Sequence, residues 1–224
     1  MKNEIILIDK PLNWTSFDVV KKIRGLIKQK YCLNKLKVGH AGTLDPLASG
    51  LLIICTGNKT KELGQFQNLK KTYLATIKLG FSTDSFDRET QEKNKKDYKH
   101  ISRDQIMALS ELFCGLQNQI PPKYSALKIN GKRAYQKARN NESFELESRL
   151  IHIYSLVIKK IHLPYLDFEV ICSKGTYIRS LAHDIGTHLK CGAYLFNLKR
   201  LAIGKNHLDS ALDLETFKIM LDEV

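Results

Sequence analysis

The sequence predicts an α+β fold built on a mixed β-sheet. Three observations carry this. Segments of strand and helix character follow one another without regular alternation, unlike the strict βα repeat of a doubly wound chain. Residues 51–55 (LLIIC) form a continuous apolar run of strand length, the pattern of a buried strand. Residues 151–161 and 166–172 flank Leu163-Pro164-Tyr165 and read as paired strands. A chain of 224 residues can bury a sizeable core, as one large domain or two small ones.

The elements follow in order. Residues 4–9 (EIILID) read as a short strand, broken by Asp9-Lys10-Pro11-Leu12-Asn13. Thr15 or Ser16 caps a helix to about Lys30, with Phe17, Val20, Ile23 and Ile27 at helical spacing. Residues 39–46 form a loop with two glycines, and 72–81 a strand. Residues 82–100 are polar and charged, which predicts a long surface loop. Ser102 caps a helix running to Phe113; 176–189 reads as a helix, 193–203 as a strand and 213–221 as a closing helix. There is no internal repeat.

Lys and Arg outnumber Asp and Glu by 36 to 23, a net charge of +13. Such an excess favours polyanionic partners through phosphate neutralisation, although a lysine-rich proteome would produce it too. No apolar run approaches the roughly 20 residues needed to span a bilayer. The N-terminus lacks a signal-peptide layout, so a cytoplasmic protein is expected. The five cysteines are odd in number and widely spaced, without CxxC, which predicts buried reduced thiols. The seven histidines show no metal-ligand spacing, so no metal is expected.

Four motifs can carry chemistry. In GHAGTLDPLASG (39–50), glycines allow tight turning and Pro46 biases Asp45 to an extended conformation. That presents one carboxylate on a stiff loop near His40; an Asx turn is the structural alternative. In KKTYLA (70–75), Tyr73 follows two lysines at a strand start and could stack on an unpaired base, or simply fill a core. In CSKGTYIRSL (172–181), Tyr177 and Arg179 fall in a first helical turn, where the arginine could pair with a carboxylate. Residues 117–141 place Lys123, Lys128, Lys132, Arg133, Lys137 and Arg139 around Tyr124 and Tyr135, as a phosphate-tracking arm or a solvated face. Residues 50–60 fail as a P-loop, because Gly57 and Lys59 are not adjacent.

Together these segments resemble the TruB family, bacterial synthases that make pseudouridine in the TΨC arm of tRNA. The likeness spans about residues 4–204 in the family's order. It rests on GHAGTLDPLASGLL and CSKGTYIRSLAHDIG, with Asp9-Lys10-Pro11, KKTYLATIKLG, IPPKYSALKINGKRAYQKAR and residues 191–201. The resemblance implies a pseudouridine-synthase-like mixed sheet flanked by helices and one catalytic domain over 1–224. It implies an RNA-gripping arm at 117–145 and conversion of uridine 55 of tRNA to pseudouridine by base flipping, without a cofactor. The TΨC stem-loop would be the partner, with no membrane and no obligatory protein partner.

Asp45 matches the catalytic aspartate, as nucleophile or as a base on the ribose. His40 matches a residue contacting RNA near the flipped uridine, and Tyr73 the tyrosine stacking on the target base. Tyr177 and Leu198 match further pocket positions, and Arg179 the arginine pairing with the aspartate. Lys10 and Pro11 match a segment supporting the active-site loop. The family's longer members carry a C-terminal PUA domain; 20 residues follow Gly204 here, so that domain is expected to be absent. Two other readings share this surface: a tRNA-folding chaperone acting without chemistry, and a synthase for another RNA.

Overall fold

The computed structural model describes residues 2–223. In chain order the elements are β1 (Ile5–Lys10), α1 (Ser16–Lys30), β2 (Val38–His40) and β3 (Ala48–Thr56), then a 3-10 segment (Gly57–Glu62) leading into α2 (Leu63–Asn68). There follow β4 (Lys71–Leu79), α3 (Arg103–Leu112), β5 (Gly115–Gln119), β6 (Lys128–Ile129), β7 (Lys132–Arg133) and α4 (Ala134–Arg139). The last are β8 (Arg149–His162), β9 (Tyr165–Cys172), α5 (Ile178–His188), β10 (Ala193–Ile203), β11 (Asn206–His207) and α6 (Leu214–Glu223). The chain divides into two compact units, Met1–Tyr73 with Leu198–Val224, and Leu74–Asn197.

In the first unit β3 is the centre. It pairs antiparallel with β1 and β2 and parallel with β10, which makes the sheet mixed as expected. Its apolar run is continuous because both faces are covered. Leu52 and Ile54 join Ile6, Ile8, Val20, Ile23 and Ile27 in a core closed by Phe217 of α6. Leu51, Ile53 and Cys55 join Ala41 and Ile203 on the other face.

Helix α1 begins at Thr15 with a reciprocal cap. The Asp18 N–H donates to Thr15 Oγ1 at 3.0 Å, and the Thr15 N–H donates to Asp18 Oδ2 at 2.9 Å. Its buried stripe is Ser16, Val19, Val20, Ile23 and Ile27. Phe17 departs from expectation: it is 61% exposed, because Ser16 and Val19 define an inward stripe that leaves residue 17 one step outside. Residues 39–46 are also less loop-like than expected. Gly39 and His40 pair with Cys55 and Ile54, which extends the sheet before the turn.

In the second unit the strand order is β4-β9-β8-β5. β8 and β9 form the expected antiparallel hairpin, with His162 opposite Tyr165. β9 alternates strictly, burying Leu166, Phe168, Val170 and Cys172. Ser102 caps α3 as expected, accepting from the Gln105 N–H at 3.2 Å. Residues 82–100 contain no helix or named strand, but they are not simply surface. Thr83, Ser85 and Asp87 are buried, and Asp87 bridges to Leu195. Polarity misled here because the buried side chains are themselves polar and hydrogen-bonded.

Cys55, Cys172 and Cys191 are buried free thiols as expected, whereas Cys32 and Cys114 are exposed. They lie at helix ends, outside the apolar stripes. Among the described residues no helix is long and apolar enough to cross a membrane, and no His, Cys, Asp or Glu cluster could hold a metal ion.

Burial pushes the Asp184 carboxyl of α5 up to about 6. Between about pH 4 and 6 the folded chain therefore binds more protons at this group than the unfolded chain, and stability from it falls as pH rises through that window. Asp184→Asn should raise the urea midpoint at pH 7 and leave it unchanged below about pH 4. The expected gain is about 1 kcal/mol, allowing for solvent screening of a partly exposed group.

Candidate active site

The Asp45 loop is held by polar groups from three distant segments of the first unit. Buried Ser16, at the start of α1, makes reciprocal bonds to residue 44: the Leu44 N–H donates to its Oγ at 2.8 Å, and Oγ donates to the Leu44 carbonyl at 3.0 Å. Arg200 of β10 is 1% exposed. Its guanidinium donates to the carbonyls of Leu51 (2.7 Å), Gly42 (3.2 Å) and Thr43 (3.4 Å), so it spans the loop from one end to the other. Lys10, fully buried, donates to the carbonyls of Pro11 (2.8 Å) and Trp14 (2.6 Å) and fixes the turn after β1. That turn touches the loop directly, since the Asn13 N–H donates to the Pro46 carbonyl at 2.8 Å. The Ala48 N–H donates to the Asp45 carbonyl at 3.1 Å and closes the tight turn before β3.

Asp45 is thus half-buried on a loop whose backbone is pinned on both sides. Burial pushes the Lys10 ammonium down to about 8; the Asp45 carboxylate opposes this and Arg200 adds to it. His40 lies at the end of β2. Burial lowers its imidazole below the ordinary histidine value, with Arg200 adding to the effect and the Gly42 backbone opposing it. Among the described residues its Nδ1 is buried without a partner within hydrogen-bonding geometry. The neutral ring is therefore the favoured form at neutral pH. Leu198 lies beside Ala48 in the parallel register of β10 and β3, three residues beyond Asp45.

Tyr73 is 8% exposed and lies on the inward face of β4, in phase with Lys71 and Ala75. Lys71 does not offer its charge to a polyanion. It is buried and donates to the carbonyls of Gln67 and Leu69 at the end of α2. The sequence pattern of a tyrosine beside two open lysines is corrected to this extent.

Tyr177 and Arg179 belong to the second unit. Tyr177 is the N-cap residue of α5, its backbone gripped by buried Gln119. The Tyr177 N–H donates to Gln119 Oε1 at 2.8 Å, and Gln119 Nε2 donates to the Tyr177 carbonyl at 3.1 Å. The Arg149 guanidinium stands 5.5 Å from its ring centre. Arg179 is buried 3.6 Å from the Asp87 carboxylate and donates to the carbonyls of Tyr124 (2.9 Å) and Ser85 (3.3 Å).

The arm is partly engaged with its own surroundings. Arg139 pairs with Glu89 at 2.5 Å, Lys137 with Glu142 at 3.2 Å, and Arg133 donates to the Ala126 carbonyl at 2.5 Å. Lys128 and Lys132 point outward on the small β6–β7 hairpin.

Sequence reasoning missed Ser16, Asp87, Gln119 and Arg200. Only Arg200 left a trace: it shares strand phase with buried Leu198 and Ala202, an inward position where a charge is out of place unless it is hydrogen-bonded.

Comparison with known proteins places the chain in a family. The family model described as TruB family pseudouridylate synthase (N terminal domain) matches residues 28–178. A protein of Phocaeicola vulgatus named tRNA pseudouridine synthase B is 46% identical over 222 residues, covering 99% of this chain and 94% of its own length. One of Clostridium kluyveri with the same name is 46% identical over 211 residues, covering 94% of this chain and 71% of its own. Among solved structures, a Cbf5-Nop10-Gar1 complex superposes at TM-score 0.71 with 26% identity. It covers 97% of this chain, which spans 54% of that one. An archaeal box H/ACA sRNP Nop10-Cbf5 complex, at TM-score 0.68 and 24% identity, shares the fold. With most of its length matched by that family model and by relatives of this identity, the chain belongs to the TruB family of pseudouridylate synthases.

Proposed function

We propose that this protein isomerises uridine 55 in the TΨC arm of tRNA to pseudouridine, with Asp45 as the catalytic carboxylate. The observation that carries the reading is the Asp45 loop, pinned by buried Ser16, Lys10 and Arg200 in a chain of this family. Relatives named tRNA pseudouridine synthase B support tRNA as the substrate. The glycosidic C–N bond breaks, a C–C bond forms and one proton moves, so substrate and product are isomers. The uridine must first leave its stack, at a cost of a few kcal/mol. Tyr73 stacks on the extruded base, His40 helps to hold the displaced state, and Leu198 contributes to base binding; Tyr177 keeps the base-binding role that the family resemblance gives it. Arg179 serves the same reaction in this reading, as the arginine that the family resemblance assigns to it. Asp45 then attacks as nucleophile or acts as base on the ribose.

The test is pseudouridine formation on an isolated TΨC stem-loop by the purified protein. Product supports the reading. RNA binding with rescued tRNA folding but no product would favour the chaperone, and product on other RNAs alone would move the substrate.

The outward lysines of the arm give a second measurement. Replacing Lys128 and Lys132 together by Gln should flatten the slope of log affinity against log salt by about one to two. An unchanged slope would make this hairpin ordinary solvated surface.

A further inference from the structure

The second unit contains a closed ring of contacts that joins the arm to the buried ion pair at two points. Arg179 Nη1 stands 3.6 Å from Asp87 Oδ2 and donates to the carbonyl of Tyr124, at the beginning of the arm, at 2.9 Å. The other carboxylate oxygen of Asp87 accepts from the Glu89 N–H at 2.9 Å. The Glu89 carboxylate holds Arg139, at the far end of α4, at 2.5 Å. Asp87 itself has little freedom. Its carbonyl accepts from Thr83 Oγ1 (2.7 Å) and Ser85 Oγ (3.2 Å), and the preceding residue, Phe86, has φ +61° and stacks on His183 with ring centres 4.0 Å apart. A left-handed aromatic residue persists only where its surroundings impose it. The arm therefore meets the pair at two points, at Tyr124 directly and at Arg139 through the partly exposed ion pair with Glu89.

We propose that Glu89 is a positioning residue that ties the arm to the Asp87–Arg179 pair, so that RNA held on the arm sets the geometry of that pair. The proposal rests on the reading that Arg179 serves the isomerisation. It gives Arg139 a different task from its basic neighbours: Arg139 anchors the arm to the protein, and Lys128 and Lys132 face the RNA.

The test compares Glu89→Gln with the charge-exchanged double variant Glu89→Arg with Arg139→Glu. Glu89→Gln should slow the single-turnover rate at saturating stem-loop by about twofold to fivefold, the scale of a partly exposed ion pair, with RNA affinity unchanged. The exchanged pair should restore most of the rate. A change in affinity alone, an unchanged rate, or no recovery in the exchanged pair would overturn the proposal. Amide hydrogen exchange of the free protein reads the same coupling without activity. Glu89→Gln should speed exchange in residues 83–88 and 120–127 together, and an effect confined to either segment would overturn the coupling. Failure of the wild type to make pseudouridine would overturn the proposed function instead, and the exchange measurement would still decide the coupling.

Discussion

Asp45→Asn should abolish pseudouridine formation while leaving the fold and RNA binding in place. The substitution keeps the shape of the side chain and removes the charge, and neither nucleophilic attack nor proton abstraction is open to an amide. The expected loss is about four orders of magnitude or more in rate, the scale seen when a single essential group is removed. The loop should survive, because Ser16 and Arg200 hold it through the backbone N–H and carbonyl groups of residues 42, 44 and 51, which the substitution leaves in place. Single-turnover assays and filter binding on one RNA, with thermal unfolding as a control for folding, separate these effects. Measurable turnover by the variant would remove Asp45 from its assigned role.

Gly50→Ala should lose about 3–5 kcal/mol of stability. Gly50 has φ +105° and lies on β3, with Lys10 opposite on β1 and Arg200 beside it on β10. A Cβ there would meet the Arg200 carbonyl oxygen at 2.4 Å and its backbone nitrogen at 2.6 Å. Neither atom can swing aside as a flexible side chain would, so the strands must separate or slip. Either response also carries away the guanidinium that holds Gly42 and Thr43, and activity should fall further than global stability alone explains. Gly25→Ala is the contrast: its Cβ meets nothing within 4 Å on α1, and the change should stabilise by about 0.5–1 kcal/mol. Urea unfolding of the pair checks both signs, and equal midpoints would contradict the steric argument.

Much of the fold was legible because short-range rules decide it. The caps at Thr15 and Ser102, the hairpin around Pro164 and the bounds of β10 follow from patterns within a few residues. The turn-forming GHAGTLDP motif and its family resemblance single out Asp45 and His40, and the structure places both beside one pinned turn. What was missed depends on partners far away in sequence. Residues 82–100 read as surface because the partner of Asp87 is Arg179, 92 positions further on. Phe17 was assigned inward because spacing alone does not choose between two adjacent helical stripes. Ser16 and Gln119 are ordinary polar residues until their backbone partners are known.

The guanidinium brace across the Asp45 loop has a consequence for synthesis. Its bonds to Leu51 and Gly42 join residues 149 and 158 positions apart. A nascent chain can form β1, α1 and the β3 segment early, but the loop is not completed until residue 200 has left the ribosome. Such long-range closure comes late in folding, since chain entropy opposes it until the intervening segments have condensed. The growing polypeptide therefore carries the Asp45 carboxylate in an unbraced loop until Arg200 is available to close it.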